Sequence, residues 1–195
     1  MVEPRVFGTK DLAIIILLLT VAGACIYIAF LPPVPCAGCN AKTEFVFSPD
    51  AQGDVISFIQ SAQESVDIEM YVFTSQDIIR ELGDAQARGV KVRVILEPRV
   101  TDSRQPKTFE LLRNLGVDVK WASMTYKLTH SKFIIVDGKK ALVGSINFSM
   151  SALNSNREAA AVVEGDVVQE VVSAFEEDWQ IATDMKKSTN SSAEE

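Results

Sequence analysis

The chain has 195 residues, 47% of them hydrophobic and 23% charged, with three cysteines and a single histidine. That apolar content excludes an intrinsically disordered chain, and the length gives one domain of ordinary size plus additional segments. The net charge of -7 argues against uniform attraction to a polyanion, yet residues 1–87 carry 4 basic and 11 acidic residues, residues 88–140 carry 12 and 5, and residues 141–195 carry 3 and 10, so a polyanion would meet a basic middle block, with scattered solvated charge as the alternative.

Residues 1–11 form a polar leader with Arg5 and Lys10. Leu12 to Leu31 is uncharged, and a helix of that length rises about 30 Å, one hydrocarbon core. Residues 12–31 therefore predict a transmembrane anchor. Ala22-Gly23-Ala24 resembles a cleavage site, so a removed signal over 12–24 is the alternative. Arg5 and Lys10 precede the span and Lys42 is the first basic residue after it, which places the domain on the extracytoplasmic side of a single-pass protein, or in the periplasm or medium if the signal is removed. Residues 32–42 are a linker stiffened by Pro32, Pro33 and Pro35. Its Cys36 and Cys39 are half a zinc site; a local disulfide is the simplest state on an oxidising side, with pairing across a dimer, by disulfides or a shared metal, as the alternative.

The folded domain is expected over 43–183, with residues 184–195 a polar tail. Glu44–Phe47, Val66–Phe73, Val90–Leu96, Val117–Trp121 and Glu158–Val163 read as strands. Ala51–Ser61, Ser75–Arg88, Thr108–Leu115 and Asp166–Ile181 have apolar residues at helical spacing, with Ser75 as a cap and Gly89 and Gly116 as stops. Alternating strands and helices predict an α/β fold: an α/β/α sandwich on a mixed, mostly parallel sheet, preceded by the one transmembrane helix.

The stretch from His130 to Asn147 organises the chain. Residues two apart in a strand share a face, so Lys132 stands beside His130. Phe133 to Val136 is apolar, Asp137-Gly138 signals a hairpin turn, and Lys140 to Gly144 is the returning strand. The return brings Ser145 and Asn147 back toward His130. An imidazole, a cation, a hydroxyl and an amide then converge, which suits a phosphodiester: imidazole attacks phosphorus while Lys132 and Asn147 hold the non-bridging oxygens.

The pattern His130-x-Lys132, Asp137, Gly144-Ser145-x-Asn147 resembles the HKD signature of the phospholipase D superfamily, and every motif position is filled. The similarity spans the whole domain. Its order of elements looks like the small single-motif members, the exported bacterial nucleases of the Nuc type and the Zucchini / mitochondrial phospholipase D-like group. The resemblance implies a homodimer that sets two motifs across one cleft, with His130 of one subunit forming a phosphohistidine and His130 of the other protonating the leaving group. It implies no metal and no other cofactor.

Glu158, acidic where the family carries an acid after the motif, is the candidate to hold the second imidazole nitrogen. Asp137, part of the motif, is explained by its Asp-Gly turn and is expected to be architectural. Ser145 is expected to add a hydrogen bond to phosphate. Arg99 and Arg104, on the charged loop before the motif, are candidates to grip a substrate backbone, with solvated loop charge the alternative; Asn154 and Asn156 are weaker phosphate contacts. The expected substrate is DNA or RNA, cleaved by an endonuclease. A phospholipase acting on membrane phospholipid is the alternative, and an inactive nucleic-acid- or lipid-binding scaffold the third.

Overall fold

A computed structural model describes residues 8–29 and 42–184. The chain divides into two units, Met1–Cys36 and Ala37–Glu195. The described residues of the first unit form α1 (Thr9–Ala29), in which the Thr20 hydroxyl donates to the Leu17 carbonyl at 2.8 Å. The transmembrane anchor expected over 12–31 does not stand: among the described residues no helix is long and apolar enough to cross a membrane. The single-pass, extracytoplasmic placement falls with it. The linker cysteines Cys36 and Cys39 and the tail from 185 onward lie outside the described residues.

The second unit is built on a seven-stranded sheet in the order β1-β7-β6-β5-β2-β3-β4. Its strands are β1 (Lys42–Phe47), β2 (Ser65–Met70), β3 (Lys91–Leu96), β4 (Asp118–Trp121), β5 (Lys132–Val136), β6 (Lys140–Gly144) and β7 (Ala159–Glu164). The sheet is mixed rather than mostly parallel. Only β2–β3 and β3–β4 run parallel, while β2–β5, β5–β6, β6–β7 and β1–β7 are antiparallel. The motif hairpin docks antiparallel on β2, and β7 and β1 continue that sense to the sheet edge.

Helices cover both faces, as a sheet apolar on both sides requires. On one face Val66, Ile68 and Met70 of β2 pack with Ile134 and Val136 of β5 and with buried residues of α2 (Gln52–Gln60), α3 (Gln76–Ala87) and α4 (Gln105–Asn114). On the other face Phe133 and Ile135 meet Val168 and Phe175 of the last helix, numbered α6 (Val168–Ile181). Between them lies the short α5 (Met150–Asn154), which the sequence pattern did not show. Arg93 ties α6 to the sheet: it pairs with Asp67 at 2.6 Å and Glu176 at 2.6 Å, and its guanidinium lies over the rings of Phe175 and Trp179.

Candidate active site

The β5–β6 hairpin is fixed at its turn by Asp137. Its carboxylate accepts the backbone N–H groups of Gln63, Glu64 and Ser65, at 2.8 Å from Glu64 and 2.9 Å from Ser65. These bonds outweigh its partial burial and hold the carboxyl below its ordinary range. Asp137 adopts φ 54°, a left-handed conformation that Asp tolerates. Asp137 and His130 flank opposite ends of β5, on the order of 20 Å apart at strand rise. Asp137 therefore anchors the hairpin turn, at the far end of β5 from His130.

At the other end, Lys132 enters β5 opposite Met70 and is 7% exposed. Its ammonium donates to the His130 carbonyl at 2.6 Å and sits 5.0 Å from the centre of the Tyr71 ring. Burial lowers its pKa, and the nearby Glu158 carboxylate works against that fall. The exposed His130 imidazole packs edge-on against Tyr71, ring centres 4.3 Å apart.

Asn147 lies next to this pair. Its Oδ1 accepts the Val72 N–H at 3.1 Å, which fixes the amide orientation and leaves its NH2 without a partner among the described residues. Ser145 follows β6, and its hydroxyl donates to Glu158 at 2.5 Å. The second Glu158 oxygen accepts from Asn156 at 3.1 Å. Those two bonds, with Lys132 nearby, hold the Glu158 carboxyl below its ordinary range. Gly144 is required here because a Cβ would collide with the backbone of Ala159 and Ala160.

The structure thus gathers His130, Lys132, Ser145, Asn147 and Glu158 at one end of the sheet. It does not gather all that the sequence suggested. Glu158 accepts from Ser145 and Asn156, and among the described residues it makes no hydrogen bond to the imidazole. Arg99 is not free to grip a substrate: it chelates buried Glu97 and donates to the carbonyls of Tyr126 and Lys127 at 2.6 and 2.7 Å. Arg104 is exposed but pairs with Asp102 at 2.7 Å. Asn154 is tied to Gln52 at 3.0 Å. Much of the basic middle block is neutralised likewise, through Arg88–Glu81, Arg93–Asp67, Lys139–Glu64 and Lys140–Glu164.

Two polar residues near the site escaped the sequence pattern. Tyr71 is the surface on which His130 and Lys132 both rest. Glu69, 1% exposed, lies beside Ser131 and Asp178, and among the described residues neither of its oxygens makes a well-formed hydrogen bond. Burial pushes its carboxyl up to about 7, with Asp178 and Glu97 adding to the shift. The alternation of Asp67 and Glu69 on one face of a central strand was the available signal. Among the described residues no three His, Cys, Asp or Glu side chains are grouped as a metal site.

A three-layer α/β/α domain that sets a histidine, a buried lysine and an asparagine amide at the end of a β-hairpin defines a class of phosphodiesterase. The sequence profile described as cardiolipin synthase, PLD-like domain, matches residues 55–179. The chain belongs to the phospholipase D superfamily. It is 32% identical over 143 residues to a protein of Rickettsia conorii named phospholipase D, covering 72% of this chain and 68% of that relative. It is 28% identical over 151 residues to the mitochondrial cardiolipin hydrolase of Mus musculus, covering 77% and 66%. The crystal structure of the phospholipase D family member Nuc from Salmonella typhimurium superposes with a TM-score of 0.70 at 27% identity, covering 76% of this chain and all of that one.

Proposed function

We propose that the domain is a metal-independent phosphodiesterase acting on the backbone of DNA or RNA as an endonuclease. The observation that carries the reading is the convergence of an exposed imidazole, a buried ammonium and an amide whose NH2 has no partner among the described residues. A nitrogen of His130 attacks phosphorus, forming a P–N bond as the P–O bond to the leaving group breaks. Lys132 and the Asn147 amide stabilise charge on the non-bridging oxygens. The leaving oxygen needs a proton, and this chain has no second histidine. A second copy across a two-fold axis supplies one: its His130 protonates the leaving group, then takes a proton from water, which attacks phosphorus and releases the first His130. Ser145 and Glu158 line the site, the carboxylate keeping Lys132 protonated and the hydroxyl in place.

A phospholipid is the second candidate substrate. Met124, Tyr126 and Leu128, on the segment leading into His130, are 41, 47 and 40% exposed, apolar surface that an acyl chain would cover. Two of the relatives above carry phospholipase or cardiolipin names. The test is a side-by-side assay, with EDTA, of single-stranded nucleic acid, duplex DNA and phospholipid vesicles. Cleavage of nucleic acid that is abolished in His130→Ala supports the first reading. Turnover of vesicles alone replaces it with the second. Binding without turnover of any substrate leaves a scaffold.

A further inference from the structure

Gln105 opens α4 yet is 1% exposed, an uncommon place for a carboxamide. Both ends of its amide are used. Oε1 accepts the Phe73 N–H at 2.8 Å, and Nε2 donates to the carbonyls of Tyr71 at 2.7 Å and Glu97 at 3.1 Å. Bonding the carbonyl of one residue and the N–H two residues on is what the N–H and C=O of a single residue do in a parallel neighbouring strand.

That neighbour has ended by this point. The β2–β3 register ends at Met70 opposite Leu96, and the last contact is Glu97 N–H to Met70 carbonyl at 3.4 Å. The Gln105 amide takes the place of the absent strand for one further step, centred on Val72. On the opposite edge of the same step, Val72 N–H donates to Asn147 Oδ1 and its carbonyl accepts Phe148 N–H at 3.0 Å. Tyr71, the ring beneath His130, is the first residue of that step.

We propose that Gln105 is a positioning residue for the phosphodiester site: by standing in for a strand it fixes Tyr71 to Phe73, and through them the His130 imidazole and the Asn147 amide. The proposal rests on the reading of His130 and Asn147 as the groups that handle phosphate. Gln105 itself reaches neither imidazole nor substrate. An apolar side chain of similar length fills the same space without the three bonds. A glutamate keeps an acceptor for Phe73 N–H and, when protonated, regains a donor for Tyr71.

The test uses the fact that His130 is the only histidine, so its ring nitrogens give one unambiguous set of NMR signals. In full-length Gln105→Met, the His130 signals shift, and kcat falls by about 10- to 100-fold with little change in KM, because a small misplacement of reacting groups acts on the chemical step. Gln105→Glu recovers part of that loss as its carboxyl is protonated, and it carries the same readouts should the methionine variant not fold. A folded variant with unmoved His130 signals and unchanged kcat overturns the proposal. The NMR signals are read without substrate. Shifted signals in a chain that cleaves no phosphodiester therefore support the positioning role while removing the phosphodiesterase reading.

Discussion

The Ser145 hydroxyl donates to the Glu158 carboxylate at 2.5 Å, which commits to a neighbouring hydroxyl the acid that family resemblance placed beside the imidazole. Its electrostatic effect then falls on Lys132, which burial would otherwise drive further toward the neutral amine. Removing the negative charge without changing shape isolates that effect. In Glu158→Gln the Lys132 pKa drops, so the alkaline limb of the kcat/KM profile moves to lower pH. A pH profile measured from 6 to 10 checks this; an alkaline limb in its wild-type place would show that Glu158 does not support the lysine.

Asp137 predicts a loss of stability that is separable from chemistry. Charge-assisted bonds to backbone N–H groups contribute about 1.5–3 kcal/mol, so Asp137→Ala should unfold more easily by roughly 2 kcal/mol, measured by urea titration at pH 7. Its folded pKa is depressed below the ordinary 3.8. The stability it contributes is therefore present above that value and lost as the pH falls through the lower folded one. The gap between wild type and Asp137→Ala should narrow correspondingly in acid. Equal stability at neutral pH would refute the architectural role.

Glu69 has the opposite sign. Its folded pKa of about 7 lies above the ordinary 4.5, so the native state holds the proton more tightly than the unfolded chain. The wild type then loses stability relative to Glu69→Gln as the pH rises from 4.5 to 7, by at most about 3 kcal/mol. Paired urea titrations at pH 5 and pH 8 read the difference. A constant offset between the two proteins would mean that Glu69 stays ionised when buried.

A shared cleft makes a prediction about mixtures. Each composite site would draw His130 and Lys132 from both subunits, so subunits of His130→Ala mixed and refolded with subunits of Lys132→Ala should recover little activity. Sedimentation of the wild type should show a dimer at assay concentration. Full recovery in the mixture, or turnover by a strict monomer, would contradict the sharing.

The motif was legible because a strand and its hairpin have short, fixed periods. His130, Lys132, the Asp137-Gly138 turn and the returning strand to Gly144 all follow from spacing, and the hairpin forms where that spacing implies. The sheet's sense was not legible in full. A hairpin fixes only β5–β6, and nothing local in the chain tells β5 to dock antiparallel on β2 or β1 to close the edge against β7. Arg99 illustrates a second limit: a charged loop residue looks solvated until the loop carbonyls of Tyr126 and Lys127 fold over it. Gln105 is the sharpest case. It acts on backbone atoms more than thirty positions away, and backbone partners leave no mark on side-chain pattern.

The central claim is that the phosphoryl group passes through the imidazole of His130. Rapid mixing of enzyme with substrate, a denaturing alkaline quench that preserves P–N bonds, and mass spectrometry of the peptide containing residue 130 tests it most directly. The account predicts a substrate-derived phosphoryl adduct on His130 that forms and decays within a turnover and is missing in His130→Ala. Steady turnover with no adduct on that peptide, or an adduct on a different residue, would contradict it.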